Sequence, residues 1–206
     1  MSDGARAAAR HWVSERQERT WHWCAPAAAE RRPSVSSAEL QRLHERAVFP
    51  AAESGTLLFL LDPASARILL IKKHRGHGAG LVNGPGGKVE PGETRLAGVL
   101  REVAEELHVQ PLDARLTGEL RFVDDRGASV WGWVYRGQRH LGQPTVTAEA
   151  SPFWCALNAL PYERMWPGDQ FWMPLLLADV PFKATLQTDG DAVVEVLVTE
   201  YNGGAA

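Results

Sequence analysis

Residues 84–109 constrain the chain more than any other stretch. They run from Gly84-Pro85-Gly86-Gly87 through Glu93 to Arg101-Glu102-Val103-Ala104-Glu105-Glu106-Leu107-His108-Val109, a glycine-rich turn leading into a helix. At 100° per residue, Leu96, Val99, Leu100, Val103 and Leu107 fall on one apolar stripe, the spacing of a helix packed on a core. Glu102, Glu105 and Glu106 share a different face. Like charges on adjacent turns cost roughly a few tenths of a kcal/mol each unless something neutralises them. A hard divalent cation does so: Mg²⁺ takes oxygen ligands and is held by a few carboxylates together with substrate phosphates. The glycines before the helix let backbone groups approach a ligand closely. Taken alone, Glu-x-x-Glu-Glu more often reads as an ordinary solvated helix face, so the spacing of the whole stretch has to decide.

At 206 residues, the chain is long enough for one domain with a full core plus an appendage. Its 45% hydrophobic and 23% charged residues are those of a globular protein, and a net charge of −3 advertises no nucleic-acid polymer as partner. Two cysteines, Cys24 and Cys155, make no disulfide framework and suggest a reducing compartment. No apolar run reaches the ~18 residues of a membrane span, and no secretory signal is evident at the N-terminus. The expectation is a cytoplasmic protein with no membrane partner.

Two regions are expected: a helical N-terminal extension over residues 1–54 and an α/β domain over 55–206. In the extension, residues 7–23 read as helical. Residues 33–46 carry a better start signal, with Ser36 or Ser37 as cap and Glu39 in the first turn. Trp12, Trp21 and Trp23 are expected to pack on the main domain or on a second subunit, which makes the extension the candidate surface for self-association. From Thr56 onward, short apolar runs at 56–61 and 66–71 read as a hairpin or adjacent strands. Residues 118–123 and 130–135 read as strands joined by the turn at 124–128, and 152–156 as a short strand. Residues 173–178 fit a helix with Pro174 in its first turn, and 182–187 and 191–198 a hairpin around Thr188-Asp189-Gly190.

The spacing of Gly87, Glu93 and residues 101–109 resembles the Nudix box, Gly-x5-Glu-x7-Arg-Glu-U-x-Glu-Glu-x-Gly-U with U a bulky aliphatic residue. One fixed position departs: His108 stands where the box has glycine, and is read as a helix stop at positive φ. The resemblance extends over about residues 55–200. Lys72-Lys73-x-Arg75, Asn83-Gly84-x-Gly86-Gly87-Lys88 and Met165-Trp166-Pro167-x-Asp169-x-x-Trp172 are similar to the oxidised-purine nucleoside triphosphatases of the Nudix superfamily, the animal-type MutT homologues. Residues 1–54 have no counterpart in it.

That resemblance implies a Nudix α/β/α sandwich with a mixed sheet, and hydrolysis of 8-oxo-dGTP or 2-hydroxy-dATP to monophosphate and pyrophosphate. It implies Mg²⁺, with Mn²⁺ as the alternative ion, on Glu102, Glu105, Glu106 and Glu149 and on the carbonyl of Gly86 or Gly87. Glu105 or Glu106 would be the general base, and Arg101 an orienting residue paired with Glu93. On the substrate side it implies Lys73 against a phosphate, Asn83 on the purine edge, Trp166 stacked on its face, and Asp169. Gly168 stands where the family has the first of two adjacent aspartates, and His77, Val82 and Pro85 replace pocket aromatics, so the recognition half departs where the catalytic half does not. Other readings are a Nudix hydrolase of another nucleoside diphosphate-X compound, or a ligand sensor with this fold; sensors commonly lose box glutamates, and none is missing here.

Overall fold

A computed structural model describes residues 11–15, 18–25, 35–51, 53–124, 129–190 and 192–200. In chain order the elements are β1 (His11–Glu15), β2 (Glu18–Cys24), α1 (Ser37–Glu45), β3 (Glu53–Asp62), β4 (Arg67–Lys73), β5 (Val82–Asn83), α2 (Arg95–Leu107), β6 (Gln110–Pro111), β7 (Arg115–Asp124), β8 (Ser129–Gly137), β9 (His140–Leu141), β10 (Ala150–Ala156), α3 (Asp169–Leu177), β11 (Phe182–Asp189) and β12 (Ala192–Glu200), with a 3₁₀ turn at Tyr162–Arg164. The main sheet runs β1-β2-β12-β11-β7-β8-β3-β4-β10, with β5 added to β4, while β6 and β9 form a separate small ribbon. The β11–β7 and β3–β8 pairs are parallel and the others antiparallel, so the sheet is mixed. This is the α/β layering that the sequence implied.

Period-2 alternation distributes the strands' side chains between two faces. Phe59, Leu61, Ile68 and Leu70 pack with Trp172, Met173 and Leu176 of α3 on one side. Leu58, Leu60, Leu69 and Ile71 pack with Val99, Val103 and Leu107 of α2 on the other. Every one of these side chains is buried, and apolar burial of this kind is the main favourable term in folding. Helix α2 begins where Thr94 Oγ1 accepts a hydrogen bond from the Ala97 amide and ends at His108, in the left-handed region at φ 56°. The substituted position of the box is therefore a helix stop that a histidine occupies.

Residues 33–46 supply the expected helix α1, whose cap is Ser36, accepting from the Glu39 amide. The helical expectation for residues 7–23 does not hold, because the described residues there form strands β1 and β2. The reason lies in the pattern Thr20-Trp21-His22-Trp23-Cys24, which alternates along a strand. Trp21 and Trp23 join the core on the α3 side, Thr20 Oγ1 meets Thr199 Oγ1 at 2.9 Å on the opposite face, and β2 pairs with β12. The side chain of Trp12 lies outside the described residues, as does most of the turn expected at 124–128. Helix α3 is longer than expected: it starts at Asp169, which leaves Pro174 in its interior rather than in its first turn.

Helix α1 rests on the same face as α2. Leu40 and Leu43 pack with Phe49, Val123 and Leu197, and the buried Arg121 guanidinium donates from Nη1 to the carbonyls of Leu43 and His44 at 2.5 and 3.2 Å. A cation at these end-of-helix carbonyls satisfies acceptors that have no partner within the helix. Leu40 is 0% exposed, so Leu40→Ala should cost about 2–5 kcal/mol. Urea denaturation of the two proteins checks this; a loss below about 1 kcal/mol would show that α1 contributes little to the folded state.

Candidate active site

The loop at 84–87 is positioned by the near half of β3. The Thr56 and Leu58 amides donate to the carbonyls of Gly87 and Pro85 at 2.8 and 2.9 Å. A Cβ on Gly86 would fall 2.0 Å from the Thr56 carbonyl oxygen, and one on Gly87 2.3 Å from the Glu102 carboxyl carbon. Only glycine permits this approach of backbone to backbone and of backbone to carboxylate. The Gly86 amide points at helix α2 and donates to Glu106 Oε2 at 2.8 Å.

Glu106 is 0% exposed. Its Oε1 lies 3.4 Å from Lys73 Nζ, an ion-pair approach that falls short of a hydrogen bond and leaves this buried oxygen without a donor. Burial pushes the Glu106 carboxyl up; the Gly86 amide and Lys73 oppose the rise, while Glu102 adds to it. Arg101 organises the remaining acids. Its guanidinium grips Glu93 with two hydrogen bonds, Nε to Oε1 at 3.0 Å and Nη2 to Oε2 at 3.1 Å. It also donates to the Lys88 carbonyl at 3.1 Å and to Glu102 at 2.9 Å, and reaches Glu105 at 3.4 Å. The Arg101 fork holds the Glu93 carboxyl below its usual range, helped by the Glu90 amide. The expected Arg101–Glu93 pair is thus present, and it ties residues 88–93 to the helix.

Glu149 lies just before β10 and pairs with Arg75. Thr147 connects this loop to the helix: its hydroxyl donates to the Glu106 carbonyl at 3.0 Å and accepts from the amides of Glu149 and Ala150. Among the described residues, no three of Glu102, Glu105, Glu106 and Glu149 bring their oxygens within 4.8 Å of one another. The acids face cations instead: Glu102 and Glu105 share Arg101, Glu149 faces Arg75, and Glu106 lies beside Lys73. Sequence reasoning found the glutamates, Lys73 and Arg75 but missed Thr147 and the contacts of Lys73 with Glu106 and of Arg75 with Glu149. These partners come from sheet register, which spacing along the chain does not reveal. The donor set fits a hard divalent ion, being all oxygen and including one buried carboxylate oxygen that lacks a donor.

The residues matched to substrate recognition occupy the edge of the sheet and the start of α3. Asn83 Oδ1 accepts from the Gly84 amide at 2.8 Å, leaving its NH₂ to face other groups. Trp166 stacks on His77, with ring centroids 4.9 Å apart and planes inclined at 21°. Asp169 is buried, and its Oδ2 has no hydrogen-bond partner. Burial pushes its carboxyl up to about 7, opposed by the Trp166 backbone and by the N–H of the nearby Trp172 indole. At Gly168 a Cβ would lie 2.4 Å from Leu186 Cδ2, so a side chain there would require this core leucine to shift.

This chain belongs to the Nudix hydrolases, and the NUDIX domain matches residues 53–176. Its relatives are informative. Over 128 residues it is 36% identical to the oxidized purine nucleoside triphosphate hydrolase of Mus musculus, a match covering 62% of this chain and 81% of that protein. Over 149 residues it is 33% identical to the protein of the same name from Danio rerio, covering 68% of this chain and 90% of that one. The crystal structure of a MutT protein from Bacillus halodurans superposes with a TM-score of 0.64 at 24% identity, covering 71% of this chain and 97% of that one, a likeness of fold.

A carboxyl whose folded-state value rises from 3.8 to about 7 holds its proton in the folded protein over a pH range where the unfolded chain has lost it. Stability contributed by the neutral form is present below pH ~4 and is lost as pH rises toward ~7. Asp169→Asn removes that dependence. Relative to the parent, the variant should gain roughly 1–4 kcal/mol of stability between pH 4 and 8. Denaturant titrations at several pH values test this, and parallel pH profiles for the two proteins would place the raised carboxyl elsewhere.

Proposed function

We propose that the chain hydrolyses an oxidised purine nucleoside triphosphate, such as 8-oxo-dGTP, to the monophosphate and pyrophosphate with Mg²⁺. The observation that carries the reading is Glu106, buried against the Gly86 amide with one oxygen left without a donor beside the acids of α2. Glu102, Glu105, Glu106 and Glu149, with the carbonyl of Gly86 or Gly87, would hold the ion. When bound, Mg²⁺ offsets phosphate charge and makes water more acidic. The names of the relatives from Mus musculus and Danio rerio support the substrate class.

The chain's own groups divide the work. The Glu105 side chain is 54% exposed and, among the described residues, contacts Arg101 at 3.4 Å, so it is the carboxylate placed to accept a proton from the attacking water. Glu106, fixed by backbone and Lys73, is the less mobile acid and serves as a ligand. Arg101 and Glu93 keep the helix and the loop in register. Water adds to a phosphoryl group, its proton passes to Glu105, the anhydride P–O bond breaks, and pyrophosphate leaves. Asn83 and Asp169 read the base edge, and the indole of Trp166, backed by His77, offers a stacking face. A carboxyl with a value near 7 can donate to a carbonyl of the base or accept from an N–H. With glycine at 168, the paired acid that would let the site exchange protons for a second base is missing, so 8-oxo-dGTP should be preferred to dGTP and 2-hydroxy-dATP should be a weaker substrate.

Glu105→Gln and Glu106→Gln should each lower kcat by at least ~10² with the fold retained, the scale for loss of a general base or metal ligand. Asp169→Asn should cost roughly 1–3 kcal/mol in kcat/KM for 8-oxo-dGTP. A turnover panel read for pyrophosphate against phosphate settles both points. Near-normal kcat in both glutamine variants removes the catalytic assignment. Equal kcat/KM for 8-oxo-dGTP and dGTP, unmoved by Asp169→Asn, removes the substrate assignment.

A further inference from the structure

Strand β2 carries a second constellation, remote in sequence from the Nudix box. Cys24 lies directly opposite Glu195 of β12, and His22 sits two residues along the same strand. Residues i and i+2 of a strand share a face, and cross-strand and diagonal neighbours come within side-chain reach. His22, Cys24 and Glu195 therefore project together, away from the core that receives Trp21 and Trp23. His22 Nε2 is 2.5 Å from Glu195 Oε1 and 3.2 Å from Cys24 Sγ. Among the described residues, these are the only three His, Cys, Asp or Glu side chains whose donor atoms all lie within 4.8 Å of one another.

Two features separate this group from an ordinary polar patch. First, the Glu195 side chain is only 4% exposed. Among the described residues its partners are His22 on Oε1, the neighbouring Cys24 thiol, and the hydroxyl of Ser37, at the start of α1, which donates to Oε2 at 3.0 Å. A carboxylate taken out of water calls for a compensating cation. Second, both Glu195 and Cys24 face the same nitrogen of His22. A nucleophile–base–acid chain uses the two imidazole nitrogens separately, one for each partner, so this geometry does not activate the thiol. It converges three lone-pair donors, N, S and O, on one point.

We propose that His22, Cys24 and Glu195 form a zinc site that fastens β2 to β12. Nitrogen, thiolate and carboxylate are zinc's usual ligands, at about 2.0–2.1, 2.3 and 2.0–2.2 Å. Tetrahedral placement at those lengths separates the donors by roughly 3.3–3.6 Å. The sulfur–nitrogen distance of 3.2 Å already approaches this. The His22–Glu195 contact, 2.5 Å between Nε2 and Oε1, opens by about 0.8 Å when the cation is bound. Ser37 holds the far oxygen of Glu195 and so orients it, as hydrogen bonds to metal-bound carboxylates do. Partial exposure of His22 and Cys24 gives the ion an entry path, and water completes the fourth position. The site contains none of the Nudix-box residues and stands whether or not the proposed substrate is correct.

The test uses the full chain, loaded with Zn²⁺ or with Co²⁺ as its coloured substitute, in excess Mg²⁺. The expected result is one equivalent of zinc retained after desalting, and a thiolate-to-cobalt charge-transfer band. Cys24→Ser should abolish that band, and His22→Asn should weaken zinc affinity at least about tenfold, the scale for losing a ligand or its support. Cys155→Ser, which alters the other cysteine, should leave both readouts unchanged. Circular dichroism confirms that each variant is folded; should Cys24→Ser fail, His22→Asn alone gives the answer. Absence of stoichiometric zinc in the parent protein, or a charge-transfer band that survives Cys24→Ser and disappears in Cys155→Ser, overturns the assignment.

Discussion

The burial of Glu106 governs the arrangement around it. A carboxylate withdrawn from water carries a desolvation cost of several kcal/mol, roughly, unless donors surround it. Here one donor is the Gly86 amide and the neighbouring cation is Lys73. The Gly86 amide can reach the acid only because the loop lies flat against β3, where any side chain on Gly86 would collide with the Thr56 carbonyl. Loop, strand and helix are therefore placed by one requirement. The Arg101–Glu93 fork acts on the other end of the same loop, so residues 84–93 are held at both ends of the exposed acidic face.

Much of this was readable from the chain. Of the α2 stripe, Val99, Val103 and Leu107 are buried, Leu100 is half-buried and Leu96, in the first turn, is exposed; the stop at His108 follows simple capping rules, and the apolar runs at 56–61 and 66–71 lie in strands while 173–178 ends helix α3. The N-terminal segment was misread because its alanines and arginines favour helix locally, while β12 offers a hydrogen-bonding edge that only the folded sheet presents. Trp21 and Trp23 pack on the core as expected, but their alternation with Thr20, His22 and Cys24 is the stronger signal, with a period of two. Around the acids, the sequence displays the glutamates that share a helix. It does not show that Lys73 and Arg75, at and just past the end of β4, and Thr147 before β10 lie alongside them, which register brings about.

The substitution at Gly168 has a packing account. The space an acid would take is filled by Leu186 of β11, a fully buried side chain of the α3-side core. Restoring a carboxylate there would force a well-packed leucine aside, at a cost of about 1–3 kcal/mol. Beside Gly168, Asp169 sits where burial pushes its carboxyl up to about 7.

The pairing of β2 with β12 joins residues such as Thr20 and Thr199, 179 positions apart. Closing so large a loop is entropically expensive, and contacts of high sequence separation form slowly. Strand β12 must meet β11 before it can receive β2, because the hairpin turn at Gly190 makes that contact local. The outermost strands are therefore added last, onto a sheet already built from residues 53 onward. Until then the indoles of Trp21 and Trp23 remain in water, so the core of residues 53 onward collapses before it is covered at that edge.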